Sequence, residues 1–249
     1  MKNMVKLFGV IALVAVIGFS MAGCNGPGTD PAPAPTPRTV TYHGNSGTDW
    51  YTLEITENTG REAYTSQSGD SYKLTVKKAD GTVKTSNGKV GSVTGGQITL
   101  QPSSANASTF TTTVSPLGIT AINNSITFND GTKQTVTTIN PDPLAGTWES
   151  PSISMRMIAA NGSYNANNNG GRGISKGTYT VSANKVTMTT VEVNKNVANG
   201  NSGDAWTAWN DLTESEKTTF GGEQTHDIPI TNNSFTFTYN GSTAVWVKR

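Results

Sequence analysis

From about residue 39 onward, apolar and polar positions alternate in short runs. Tyr51, Leu53 and Ile55 fall on one face of such a run, with Thr52, Glu54 and Thr56 on the other. A period of two over this length predicts a half-buried strand. Tyr72, Leu74 and Val76 repeat the pattern, and Asp80-Gly81 then leads into residues 82–85, which predicts a tight hairpin. Residues 97–101, 109–114 and 125–128 read as further strands, and the last is joined by Asn129-Asp130-Gly131 to another at 133–137. No stretch between residues 39 and 138 has a helical period, so this part is predicted as one all-β unit.

Asn140-Pro141-Asp142-Pro143 is the best boundary in the chain, because two prolines in four residues break strand pairing on both sides. Beyond it, residues 146–149 open a second unit. Met155, Met157 and Ala159 alternate with Ser154, Arg156 and Ile158. The Asn/Gly-rich run 161–173 that follows reads as a mobile loop. Strands are predicted at 177–181 and 185–191, and residues 234–239 and 243–248 flank Asn240-Gly241, the clearest hairpin signal here. The predicted fold is all-β and antiparallel: two small barrel or sandwich units, residues 39–140 and 144–249.

One segment, residues 204–220, breaks the β pattern. Trp206, Trp209 and Leu212 fall at three-residue spacing, and Thr213 with Glu216 makes a capping box, so two short helical pieces are expected between strands. Trp206 and Trp209 have two readings. They plug one end of a β-barrel, or they form a lid or aromatic wall over a ligand cavity, since pockets are lined by aromatics with few polar groups.

Composition fits the strand reading. Charged residues make up 14% of the chain; Thr, Ser, Asn and 27 glycines supply the polarity instead, which suits short strands and tight turns rather than a helical bundle. The 18 basic and 17 acidic residues become 16 and 17 once residues 1–23, which hold Lys2 and Lys6 and no acid, are set aside. That near-neutral balance lacks the basic stripe of a nucleic-acid binder.

The N-terminus has its own pattern. Lys2 and Lys6 precede an apolar run from Leu7 to about Phe19, the order of a secretory signal, and the run is shorter than the ~20 residues a membrane span takes. Met21-Ala22-Gly23-Cys24 closes it, with the chain's single cysteine. A lone thiol is awkward in an exported protein. The four residues resemble the bacterial lipobox, with Met21 where Leu is commonest. The resemblance implies removal of residues 1–23, acyl chains on Cys24 as the membrane anchor, and a cell-envelope location facing the periplasm or the exterior. The alternative is a plain signal peptide with an incidental thiol. In residues 24–38, proline at alternate positions favours an extended polyproline II tether.

The second unit has Gly146-Thr147-Trp148 on its opening strand, Gly177-Thr178-Tyr179 later, and a last hairpin ending in Trp246-Val247-Lys248-Arg249. In these residues it resembles the lipocalin-like up-and-down barrels of bacterial lipoproteins. The resemblance implies that Trp148 plugs the closed end and that Lys248 or Arg249 lies against it in a cation–π contact. The first unit reads either as a diverged copy of the second or as an unrelated β unit.

Candidate chemistry is thin. His43 and His226 lie in no catalytic motif, and His226-Asp227 on one strand would point to opposite faces. There is no nucleophile elbow, zincin motif or phosphate loop. No cofactor or metal is expected. Three readings remain: a non-enzymatic, lipid-anchored envelope protein that binds other envelope or host macromolecules, with run 161–173 as its exposed part; a binder of a small apolar molecule in the second barrel; and, least supported, an envelope hydrolase.

Overall fold

The computed structural model describes residues 36–58, 65–104, 107–168, 171–182, 185–198, 201, 203–220, 225–230, 234–239 and 242–249. Cys24 and the signal, lipobox and most of the tether lie outside the described residues, as do Asn240 and Gly241.

The first unit begins with seven strands that each pair with the next: β1 (Thr39–Ser46), β2 (Asp49–Thr56), β3 (Ser71–Lys77), β4 (Val83–Thr94), β5 (Gln97–Pro102), β6 (Phe110–Ser115) and β7 (Gly118–Asn123). A two-stranded hairpin, β8 (Ser125–Thr127) and β9 (Lys133–Thr135), stands apart from this sheet, and β10 (Asn140–Pro141) returns to pair with β1. Because β7 lies beside β1 and β10, the sheet is nearly closed into a barrel.

Alternation along each strand fills its interior. Leu53, Ile55, Leu74, Val76, Ile98, Leu100, Phe110 and Ile119 all point inward and are fully buried. The β8–β9 hairpin adds Ile126, Phe128 and Val136 to the same core. Polar contacts hold it there: the Gln134 amide donates to the Tyr51 hydroxyl (2.8 Å) and to Asp49 (3.1 Å), while Lys78 donates to Gln134 and Asp49 at 2.7 Å each.

The second unit is a meander of β11 (Gly146–Ser150), β12 (Met155–Ala160), β13 (Ser163–Asn168), β14 (Gly173–Ser182) and β15 (Lys185–Asn194), followed by a split strand. The far end of β15 pairs with β16 (Trp206–Ala208), and its beginning pairs with β17 (Thr225–Pro229). β18 (Ser234–Tyr239) and β19 (Ser242–Lys248) complete the round, with β19 pairing back to β11 and β17 lying beside β18. This is the up-and-down order expected from the sequence.

The insertion between β15 and β17 holds the short helix α1 (Lys195–Ala198), a 3-10 turn (Trp209–Asp211) and helix α2 (Glu214–Thr219). The capping box at Thr213 and Glu216 is formed. Run 161–173 differs from its expected form. Residues 163–168 are β13, with Tyr164 and Ala166 turned inward and Ser163 and Asn165 outward. Asn and Gly carry turn signals, yet Asn165 and Asn167 alternate with Tyr164 and Ala166 and so occupy outward strand positions, where polarity costs nothing.

The two units meet through the β1–β2 turn. The Trp50 indole meets the Tyr179 ring edge-on at 5.2 Å, the Thr52 hydroxyl donates to Asn161 Oδ1 (3.2 Å), and Asn45 Nδ2 donates to the Val181 carbonyl (3.4 Å). The Pro141-Asp142-Pro143 link is itself buried structure. Asp142 accepts from the Leu144 and Ala145 N–H groups (3.2 and 3.1 Å) and from the Tyr179 hydroxyl (2.7 Å). Arg38 hydrogen-bonds Glu57 at the other end of the β1–β2 pair, so the tether joins the first unit away from this junction.

Candidate ligand cavity

The second barrel is closed at the end that meets the first unit. Trp148 is fully buried there, and its Nε1–H donates to the Leu144 carbonyl at 2.7 Å. Lys248 Nζ sits 5.6 Å from the centre of the Trp148 ring and 3.4 Å from the Pro143 carbonyl, which gives the cation–π contact that the resemblance implied. Arg249 pairs instead with Glu149. Burial lowers the Lys248 pKa, with Asp142 opposing the shift, and burial raises the Asp142 pKa despite its hydrogen bonds.

Above this plug an aromatic stack rises through the barrel. Phe235 meets Trp148 edge-on at 4.9 Å, and Trp246, its partner across β18 and β19, stacks on it at 5.8 Å. Beyond the stack the side chains leave part of the interior unfilled. A cavity of about 330 Å³ is bounded by Met155, Met157 and Met188, by Tyr164, Phe235 and Trp246, and by the small side chains of Ala166, Ser175 and Ala244. Ile153, in the 3-10 turn Pro151–Ile153, and Phe220, at the end of α2, border it on the side away from the plug. Among the described residues, none of the lining side chains carries a charge.

The void follows from the inward residues. Ala166 follows Tyr164 on the third strand where Leu74 follows Tyr72 in the first barrel, and Ala244 is as small, so the ring of strands encloses more volume than its side chains fill. Three thioethers border the gap. Methionine has flexible, polarisable side chains that adapt to irregular partners.

Polar groups in the wall are few. One register row runs across four strands through Ala159, Tyr164, Gly177 and Thr190. The Tyr164 ring lies flat over Gly177, where an added Cβ would come within 2.4 Å of the ring, and so its hydroxyl reaches Thr190 Oγ1 at 2.9 Å. Burial raises the Tyr164 pKa, which keeps the phenol protonated.

Trp206 and Trp209 are not among the residues lining this cavity. The Trp206 ring lies against Gly173 and under the Lys176 ammonium, 3.8 Å from the ring centre. Trp209 is buried with Val193 and Leu212, and Phe220 packs on that cluster. Two cavity residues, Val193 and Phe220, thus rest on Trp209 from behind. The segment that carries both tryptophans is pinned by Asn194, whose side chain donates to Asp204 (2.8 Å) and accepts from the Ala205 N–H (3.1 Å).

His43 lies in the junction between the units. The Thr52 hydroxyl donates to Asn161, which leaves its oxygen free to accept from His43 Nδ1–H at 3.3 Å. Burial, with Lys248 adding to it, lowers the His43 pKa to about 4. The His226 side chain lies outside the described residues.

Sequence reasoning assigned Met155, Met157, Phe235 and Trp246 to strands without marking them as a site. The signal that would have found the cavity is the recurrence of small side chains at inward positions on strands whose other inward residues are Met or aromatic. A comparison with protein-family models, with characterised proteins and with solved structures finds nothing that matches this chain.

Proposed function

We propose that this chain is a non-enzymatic, lipid-anchored protein of the bacterial envelope that holds a small apolar molecule in its second barrel. The observation that carries the reading is the cavity of about 330 Å³ beyond the Trp148 plug, whose described lining side chains are all uncharged. An apolar cavity of ~150 Å³ is large enough for benzene, so one about twice that size suits a ligand of on the order of ten carbon atoms.

The anchor and the cavity fit together in this reading. The tether reaches the first unit near Arg38, the plug faces that unit, and the cavity lies beyond the plug. A protein held through Cys24 would therefore present the cavity on its far side. The reading in which run 161–173 is an exposed contact loop has lost its loop, because residues 163–168 are a barrel strand.

The test begins with residues 24–249 carrying Cys24→Ser, purified without detergent from a bacterial host and examined by native mass spectrometry with organic extraction. An apolar passenger at one equivalent, displaced by added alkanes or alkanols, is the expected result. A protein that arrives empty and takes up no member of a panel of eight- to twelve-carbon compounds would overturn the reading. For the anchor, the unaltered gene should yield an acyl-labelled membrane protein, and Cys24→Ser should abolish the label.

A further inference from the structure

We infer that the Tyr164–Thr190 hydroxyl pair is the recognition point for one neutral, hydrogen-bond-accepting oxygen on the ligand, so that the cavity selects uncharged alcohols, ketones or esters over acids and amines of the same carbon skeleton. The inference rests on the proposed function and deepens it.

Proton counting is the first step. Two hydroxyls 2.9 Å apart share one hydrogen bond between them, which uses one of their two protons. The other proton has no need of the partner, and the lone pairs are only partly used. The pair lies on the cavity wall, because both Tyr164 and Thr190 line the space. It therefore offers a ligand one donor and some acceptor capacity, with Ser175 as the remaining hydroxyl among the described lining residues.

Placement is the second. Tyr164 reaches Thr190 only because Gly177 between them has no side chain, and the three residues stand in one register row across three strands. That row also contains Ala159, which pairs with Gly146 at the closed end of the barrel. Tyr164 thus starts near the closed end, and its hydroxyl crosses Gly177 to meet Thr190 on the cavity wall.

Charge is the third. Among the described residues, no lining side chain can neutralise a carboxylate or an ammonium group. The Lys248–Asp142 pair lies below the Trp148 plug, and the Lys176 ammonium is occupied by the Trp206 ring and Glu192. The phenol itself stays neutral, so it cannot supply a counter-charge. A buried, unpaired ion is strongly disfavoured, whereas a neutral oxygen with a donor in reach is not.

The experiment uses residues 24–249 with Cys24→Ser and four probes of one skeleton: octane, octanol, octanoate and octylammonium, titrated at pH 8 by calorimetry and tryptophan fluorescence. Wild type should bind octane and octanol and should bind octanoate and octylammonium at least ~100-fold more weakly than octanol. The decisive variant is Tyr164→Phe with Thr190→Val, because removing both partners of a buried pair by groups of similar shape leaves no unsatisfied atom and is close to neutral for folding.

In that variant octanol should lose about tenfold in affinity, the worth of one neutral hydrogen bond, while octane stays within about twofold. If the double variant does not fold, the comparison of octanol with octanoate and octylammonium on wild type decides alone, because either ion binding as tightly as octanol contradicts a site for a neutral oxygen. Octanol binding that is unchanged in the variant, or octanoate binding as tightly as octanol, would overturn the inference and leave the apolar pocket standing. Failure of all four probes on wild type would instead remove the proposed function itself.

Discussion

The two barrels use one device for opposite ends. In each, a tyrosine on the third strand lies over a glycine on the fourth: Tyr72 opposite Gly88 in the first, Tyr164 opposite Gly177 in the second. In the first the tyrosine hydroxyl meets Ser86 (3.1 Å), Phe110 packs edge-on at 6.0 Å, and the space beyond is filled by aliphatic side chains and by the β8–β9 hairpin. In the second the hydroxyl meets Thr190, and the space beyond is the cavity. The difference teaches that strand alternation specifies a closed sheet, and that the size of the inward side chains then decides whether the barrel is a core or a container.

The most severe break of that comparison is Phe110→Ala. It empties a site with no spare volume, and truncating a buried Phe costs about 3–5 kcal/mol. The matching change in the second barrel, Met157→Ala, borders a void already and should fall below the ~2–5 kcal/mol usual for Met→Ala. Urea unfolding of both variants measures the contrast. Equal losses would mean that the second barrel is as tightly packed as the first.

Next is a pH effect at the junction. His43 titrates near 6.5 when unfolded and near 4 in the fold. The unfolded chain therefore binds the proton first, so this contribution to stability is whole above about pH 6.5 and is lost as pH falls to about 4. The full swing is on the order of 3 kcal/mol. Asp142 runs the other way. Its raised pKa means that the fold favours the protonated acid, so its contribution is greatest below the unfolded value of 3.8 and is lost as pH rises through the folded one. His43→Asn should flatten the loss between pH 6.5 and 4, read as the change in urea midpoint across that window; a variant as acid-sensitive as wild type would place the sensitivity elsewhere.

A smaller effect comes from filling the cavity. Ala166→Leu places a larger side chain where the first barrel carries one. With about 330 Å³ available, it should raise stability by about 1 kcal/mol and abolish uptake of octane. The same enlargement at a filled site, Val76→Phe, should cost about 1–3 kcal/mol. Melting temperatures of the two variants give opposite signs if one barrel is full and the other hollow.

These contrasts also mark what could be read in the chain. The strands were legible because Tyr51, Leu53 and Ile55, or Tyr72, Leu74 and Val76, stand out against Thr, Glu and Lys at a period of two. The Trp148–Lys248 contact was legible through the resemblance alone, since nothing local joins residues a hundred positions apart. The cavity was not legible. Ala166 and Ala244 satisfy alternation as well as a leucine does, and the shortfall appears only when all the strands are brought round one axis. Asn165 and Asn167 hid β13, because an outward asparagine and a turn asparagine look alike. Both units end in a hairpin turned by Asp-Gly or Asn-Gly in the sequence, but β8–β9 plugs its barrel whereas β18–β19 forms part of the wall, so that likeness is one of sequence and not of place.

The smallest expected effect lies at the rim, where the first barrel has nothing comparable. Helix α2 is six residues long and is held by its cap: Thr213 Oγ1 accepts the Glu216 N–H (3.3 Å), and Glu216 Oε2 accepts the Thr213 N–H (2.8 Å). A salt bridge to Lys195 (2.7 Å), together with the bonds from Thr213, lowers the Glu216 pKa to about 2, so these ties persist at every pH at which the protein would be handled. Phe220 ends this helix and borders the cavity. Thr213→Ala removes one cap, worth about 1 kcal/mol, and should speed amide exchange in α2 by on the order of fivefold. Exchange in the first barrel should not change. Because the cap steadies the helix that ends at Phe220, octane should leave the cavity a few-fold faster, with its association rate nearly the same. An unchanged dissociation rate beside faster exchange would show that the Trp209 cluster alone holds Phe220 in position and that the cap serves only the helix.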